Sequence, residues 1–137
     1  MIVLDTNVLS ALMRGERHVV DWMDRQAAES VWTTSVTLFE ARVGLALLPR
    51  GRRRSALEAS FARVIDEDLE CRVLDFDHAA ASEAAPLAAE RQKAGRPVEI
   101  RDTLIAGIAL ARRGTIATRN VQHFADLKVP VVDPWQA

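Results

Sequence analysis

Short apolar runs rich in β-branched residues alternate along this chain with segments of helical periodicity, and that alternation leaves few folds open to it. Residues 2–4 (Ile, Val, Leu) form the first run, followed by 31–33, 71–76, 115–118 and 129–132. Runs this apolar suit strands buried on both faces rather than strands with one wet face. Between them the apolar spacing predicts helices over about 18–28, 36–48, 52–65, 78–93 and 102–113. A further short helix follows Asp5, with Thr6 or Asn7 as its cap and Gly15 as its stop. Ser35 reads as the cap of the helix that ends at Pro49, and Asp77 as the cap of the Ala-rich helix that Gly95 and Pro97 break. Strands and helices in this order predict an α/β domain over residues 1–137, with an open, mostly parallel sheet covered on both sides.

Composition narrows the class further. With 137 residues, 49% of them hydrophobic and 27% charged, the chain suits one globular domain rather than a disordered segment. Its apolar runs fall far short of the ~20 residues that span a bilayer. The opening MIVLDTN has neither the basic nor the apolar region of a secretory leader, so a cytoplasmic location is expected. The single cysteine, Cys71, is expected as a small buried strand residue and offers no CxxC pair, so any metal must be held by oxygen or imidazole. A net charge of −1 neither favours nor excludes nucleic acid. Arg52, Arg53 and Arg54, however, open a helix whose dipole they oppose, which calls for a negatively charged partner.

In sheets of this kind ligands gather at the carboxyl ends of the strands. Asp5 stands at the end of the first strand and Asn120 just past the fourth, while Asp102 begins a helix that can point its positive end to the same edge. Asp5 and Asp102 also suit plain roles as a capping acid and a dipole-favoured helix acid. Glu40 lies within a few tens of degrees of Val36 and Leu47 on its helix, beside a stripe with Phe39 and Val43, where a carboxylate is partly desolvated. A capping box over Thr37 to Glu40 is the plain alternative. If the three acids converge, their mutual repulsion is relieved by a divalent cation, and oxygen ligands select Mg2+ or Mn2+ over Zn2+. Such an ion activates water against a phosphodiester. Phosphate-loop, dinucleotide, zincin and serine-hydrolase signatures are absent. His18, His78 and His123 are scattered and read as surface or supporting residues, and Trp22, Trp32 and Trp135 as packing residues.

Four segments taken together, MIVLDTNVLS, SVTLFEARVGL, IRDTLIAGIALARRGTIATRN with HF close behind, and VPVVDPW, resemble in order and spacing the PIN-domain ribonucleases. The likeness is greatest to the VapC-type toxins of toxin-antitoxin modules, including the FitB-like branch, and it spans essentially the whole chain. The resemblance implies a three-layer α/β/α fold around a central five-stranded sheet and a metal-dependent endoribonuclease. It carries the acidic roles to Asp5 and Asp102 as the main Mg2+ ligands and to Glu40 as a ligand directly or through water. Thr6 and Thr118 match positions that order the site by hydrogen bonding. Where one branch has a fourth acid this chain has Asn120, which can orient water but adds no charge, so one firmly bound ion is expected and a second only with substrate. The resemblance further implies a homodimer or higher assembly and a cognate antitoxin that masks the site. Arg52, Arg53, Arg54 and Arg119 are then candidates for RNA or antitoxin contact. The rival readings are a PIN module that binds without cleaving and a phosphatase using Asp5 as nucleophile. The latter usually needs an acid two residues on, where Asn7 stands.

Overall fold

A computed structural model of the chain describes residues 1–96 and 98–137. Strands β1 (Ile2–Leu4), β2 (Val31–Thr34), β3 (Val73–Leu74), β4 (Thr115–Ala117) and β5 (Val131–Val132) form one sheet in the order β3-β2-β1-β4-β5. Every pairing is parallel, with Ile2 opposite both Val31 and Thr115. Six helices cover it: α1 (Thr6–Arg14), α2 (Arg17–Asp24), α3 (Ser35–Leu47), α4 (Arg52–Arg63), α5 (His78–Lys93) and α6 (Ile100–Arg112). The three-layer α/β/α expectation holds, and the sheet is wholly parallel.

The period-2 geometry of strands divides the core in two. Leu4, Val31 and Ala117 face α1, α2 and α4 with Leu9, Trp22 and Phe61. The neighbouring residues Val3, Leu74 and Ile116 face α5 and α6 with Ile105, Ile108 and Phe124. Trp32 and Trp135 flank these two clusters as packing residues. Strands β2 and β3 lie to one side of β1, while β4 and β5 lie on the other. The strand order therefore reverses between β1 and β4, the place where a doubly wound sheet opens a crevice at its carboxyl edge.

Several local expectations are corrected. Asp5 itself caps α1 by accepting from the Thr6 amide, and Thr34, not Ser35, caps α3 by accepting from the Thr37 amide. The Ser35 hydroxyl instead accepts from the Phe76 amide at 3.1 Å. No capping box therefore joins Thr37 to Glu40. Helix α2 ends at Asp24, where the Gln26 side chain donates to the Trp22 carbonyl at 3.0 Å. Beyond Arg63 the α4 pitch widens into a π turn over Val64–Asp68. Helix α6 starts at Ile100 with Glu99 as its cap, so Asp102 lies inside its first turn. It stops on Arg113, at a left-handed φ of 55°, rather than on Gly114. Gly95 takes a φ of 67° after α5, while Pro97 lies outside the described residues. Strand β3 is shorter than its apolar run because Glu70 and Cys71 adopt left-handed φ values of 46° and 57°. Cys71 is thus exposed in a turn, with Sγ 3.7 Å from Asp66 Oδ1, and is no buried strand residue. Likewise β5 pairs only through Val131–Val132.

Helices α5 and α6 approach each other closely at Gly107. A Cβ on Gly107 would meet the Ala80 carbonyl oxygen and Ala84 Cβ, both at 2.6 Å. Gly107→Ala should therefore push α6 outward and cost about 1–3 kcal/mol, as overpacking usually does, despite alanine's better helix propensity. A denaturant unfolding curve checks this; an unchanged or raised midpoint would show that the pair can separate freely.

Candidate active site

The acidic residues come from the end of β1, the first turn of α6 and the interior of α3. Asp5 follows β1 and is 3% exposed. Its Oδ1 accepts the Thr6 amide at 2.8 Å, while Oδ2 accepts the Thr118 hydroxyl at 2.7 Å and the Asn7 side-chain amide at 3.2 Å. The Arg119 amide donates to Asn7 Oδ1 at 3.0 Å, which fixes the Asn7 amide so that its nitrogen faces Asp5. All the groups bonded to this carboxylate are neutral donors. Burial pushes the Asp5 pKa up from 3.8 to about 6; the Thr118 and Thr6 hydrogen bonds pull it down, and the charges of Asp102 and Glu40 add to the rise. Glu40 and Asp102 are therefore both near enough for their charges to bear on Asp5.

Glu40 approaches from α3. Its Oε1 accepts the Thr6 hydroxyl at 2.7 Å, and its Oε2 lies 3.6 Å from Arg101 Nε. The stripe expected to bury it is corrected: Phe39, Val43 and Leu47 are 59%, 37% and 79% exposed. The core instead takes Val36 and the row Thr37, Ala41 and Leu45, two residues earlier in the helix. What half-buries Glu40 is its contact with α1 and α6. Asp102, in the first turn of α6, has Oδ2 2.8 Å from His123 Nδ1. A carboxylate facing this nitrogen can only accept, so Nδ1 carries the proton.

Of the two threonines named from the resemblance, Thr6 donates its hydroxyl to Glu40 and Thr118 donates its hydroxyl to Asp5. Asn120 reaches the site through its main chain, whose amide donates to Thr118 Oγ1 at 3.0 Å, while its side chain is exposed beside His123. The four candidate arginines part company. Arg53 lines a groove with Thr6 and Glu40 of about 200 Å³. Arg54 is occupied by the Leu48 carbonyl at 3.3 Å and Glu58 at 3.4 Å, and Arg52 is exposed at the helix start. Arg119 neither pairs with an acid of the site nor stands free, since its guanidinium stacks on Trp135 at 4.7 Å.

The contacts of Asn7, Arg101 and Arg91 escape the sequence reading, and His123, read as a surface or supporting residue, bonds Asp102. Asn7 reads as a cap or as the missing second acid of a phosphatase, although its place two residues after Asp5 is the signal that it can reach back. Arg101 and His123 directly adjoin or follow the motifs of the site, but only the fold brings them to Glu40 and Asp102. Arg91, 3% exposed, grips Asp126 through two bonds of 3.0 and 2.9 Å and donates to Thr103 Oγ1 at 2.8 Å and the His123 carbonyl at 2.8 Å. It thereby ties the segment carrying His123 to the helix carrying Asp102. Asp126 is held below the usual carboxylate pKa, chiefly by the Arg91 hydrogen bonds. Among the described residues no three His, Cys, Asp or Glu side chains are grouped so as to hold a metal ion, so the expected convergence of Asp5, Glu40 and Asp102 on one point is corrected: Asp102 and Glu40 act on Asp5 through their charges alone.

The PIN domain family profile matches residues 2–129. The plasmid stability protein StbB of Pseudomonas syringae is 40% identical to this chain, with 100% of each covered. VapC ribonuclease Y4jK of Sinorhizobium fredii is 36% identical over 99% of each. Toxin FitB of Neisseria gonorrhoeae is 33% identical over 98% of this chain and 99% of its own. The solved structure of FitAcB from the same organism matches with a TM-score of 0.84 at 31% identity, covering 100% of each chain. With a family match over nearly its full length, relatives above the 30% level and a fold that superimposes, the chain belongs to the PIN-domain family.

Proposed function

We propose that this protein is a Mg2+-dependent endoribonuclease, with Mn2+ as a competent substitute, that serves as the toxin of a toxin-antitoxin pair. One observation carries the reading: Asp5 is a buried carboxylate bonded only to neutral donors, and two further acids press on it electrostatically. Burying such a charge without a counter-charge is costly. The three acids offer oxygen donors, the kind that Mg2+ or Mn2+ takes, and Mg2+ is commonly held by one or two carboxylates with waters completing its shell. Asp5 and Asp102 would be its main ligands, and Glu40 would bind directly or through water. Bound there, Mg2+ supplies a Lewis acid for a phosphoryl oxygen and lowers the pKa of water.

The protein's own groups do the rest. Thr118, Asn7 and the Thr6 amide hold the Asp5 carboxylate in one orientation, and the Thr6 hydroxyl does the same for Glu40. His123 sets the rotamer of Asp102. On this reading the Asn120 side chain would orient water, and Arg53, which lines the groove with Thr6 and Glu40, would offer a positive charge to the RNA backbone. VapC ribonuclease Y4jK and toxin FitB, both similar over nearly the whole chain, support RNA as substrate and a toxin role. A cognate antitoxin that masks the acids, and assembly into a homodimer or higher complex, belong to the same reading. The exposed row Phe39, Val43 and Leu47 is apolar surface that such assembly would cover. Among the described residues no helix is long and apolar enough to cross a membrane.

The test is RNA cleavage by the purified chain. Activity should vanish in EDTA and return with Mg2+ or Mn2+. Asp5→Ala and Asp102→Ala should each lose more than the roughly 10–100-fold that removal of a group supporting a metal ligand costs, while remaining folded by circular dichroism. A folded chain that binds RNA but cuts none with either ion would instead be the binding module.

A second outcome concerns stability without the ion. The folded state keeps the Asp5 proton up to a pH of about 6, whereas the unfolded chain releases it near 3.8. Between those values the folded state binds more protons, so stability falls as pH rises, by at most about 3 kcal/mol. In EDTA, urea midpoints of the wild type minus those of Asp5→Asn should decline across this window and level off above it. A difference that stays flat would show that the carboxylate ionises freely in the folded protein.

A further inference from the structure

Arg101 is the basic side chain that reaches the acids of the site from within the chain. It follows Ile100 in the first turn of α6, immediately before Asp102, and its side chain is 40% exposed. Its Nε donates to Glu99 Oε1 at 3.0 Å and lies 3.6 Å from Glu40 Oε2. Among the described residues the two terminal nitrogens of the guanidinium make no hydrogen bond, so four N–H groups are left facing solvent at the rim. Glu99 does not depend on the guanidinium for its own structural duty, because its Oε2 caps α6 by accepting the Arg101 main-chain amide at 2.9 Å. The side chain is thus a cation on a short tether, half-satisfied and standing between a site acid and open water.

Resting on the function proposed above, we propose that Arg101 exchanges partners during the cycle. It is the counter-ion of Glu40 in the ion-free protein, and it turns its guanidinium to an RNA phosphate once a divalent cation takes Glu40. The physical argument is competition for one carboxylate. A divalent ion near Glu40 outbids a guanidinium at 3.6 Å, which is too long for a strong charge-assisted bond. The released planar fork then has its free N–H groups at the geometry that suits a phosphate's paired oxygens. Glu99, still bonded to Nε, keeps the guanidinium at the rim and raises its pKa, so the positive charge persists. Arg119 is unsuited to this exchange because Trp135 holds it by stacking.

Competition and contact predict effects of opposite sign for one substitution. In the RNA-free protein, Arg101→Ala should bind Mn2+ about two- to fivefold more tightly by electron paramagnetic titration, the range of an exposed ion pair removed. With saturating Mn2+, the same variant should show a raised KM for a fluorescein-labelled single-stranded RNA of mixed sequence. Its salt dependence should weaken by about 0.7 in the logarithmic slope, the loss of one single-strand phosphate contact. Arg101→Lys, which keeps the charge, should stay close to the wild type in Mn2+ affinity and in salt slope. A merely structural arginine would move the melting temperature in EDTA and leave both ligand readouts in step. If Arg101→Ala leaves Mn2+ affinity unchanged, or lowers it, while the wild type binds Mn2+ and cleaves RNA, the exchange is overturned and the nuclease reading stands. A wild type that neither binds Mn2+ nor cleaves RNA overturns both.

Discussion

A single carboxylate, Asp5, is the constraint to which the surrounding structure answers. It ends the strand that lies at the centre of the sheet, caps the helix that follows and accepts from the far side of the strand-order reversal through Thr118. Each of these contacts favours the charged form, yet burial outweighs them and lifts the pKa to about 6. A fold built only for stability would place a neutral cap there. Serine or asparagine would satisfy the Thr6 amide as well as aspartate does, without the desolvation cost of a buried charge. The unfavourable choice makes sense where the carboxylate has a cation to meet, since binding an ion to the folded state alone returns the lost stability by mass action.

Three-residue strands suffice to position this group because parallel pairing and side-chain alternation leave them no slack. A one-residue slip of β1 would exchange Val3 and Leu4 between the two cores and carry Asp5 out of line with Thr118. The opposite wall is fixed differently. Helix α6 is pressed against α5 at Gly107, and Arg91 reaches from α5 to Thr103, Asp126 and the His123 carbonyl. Buried arginine is tolerated there because its hydrogen bonds are shared among a carboxylate, a hydroxyl and a carbonyl. The result is that Asp102 and His123, twenty-one residues apart in sequence, are held by one polar knot.

What the sequence disclosed and what it hid follow from the range of the interactions concerned. Helix caps such as Asp77 and the left-handed Gly15 are local and were legible. Asp5 and Asp102 stand out for the same reason, since one follows a strand and the other lies in the first turn of a helix, whereas Glu40 sits within α3 and has no such local mark. Apolar periodicity, by contrast, reports which side chains avoid water without saying what covers them. That is why Phe39, Val43 and Leu47 read as core although the fold leaves them at the surface, while the smaller row Thr37, Ala41 and Leu45 packs inward. Cys71 misled for a related reason: its apolar neighbours suggested a strand, but the backbone turns left-handed there. The pairs Thr6 with Glu40 and Asn7 with Thr118 join residues far apart in the chain, and no local pattern encodes them.

Charge arithmetic explains how the site can do without a fourth acid. Asp5, Glu40 and Asp102 bring three negative charges when ionised; Arg101 offsets part of one through Glu40, and an imidazole supports another. On the proposed function, one divalent ion nearly balances what remains, and a second would leave the site positive unless further negative charge arrived with it. Asn120, standing where one branch of the family carries an acid, supplies none. RNA does, since every phosphodiester adds one negative charge beside the same rim that Arg101 and Arg53 approach. On that reading, an amide in place of the acid would shift the second charge from protein to substrate. Ion occupancy would then be coupled to RNA binding, because whatever binds more tightly in the presence of the other must by linkage return the favour.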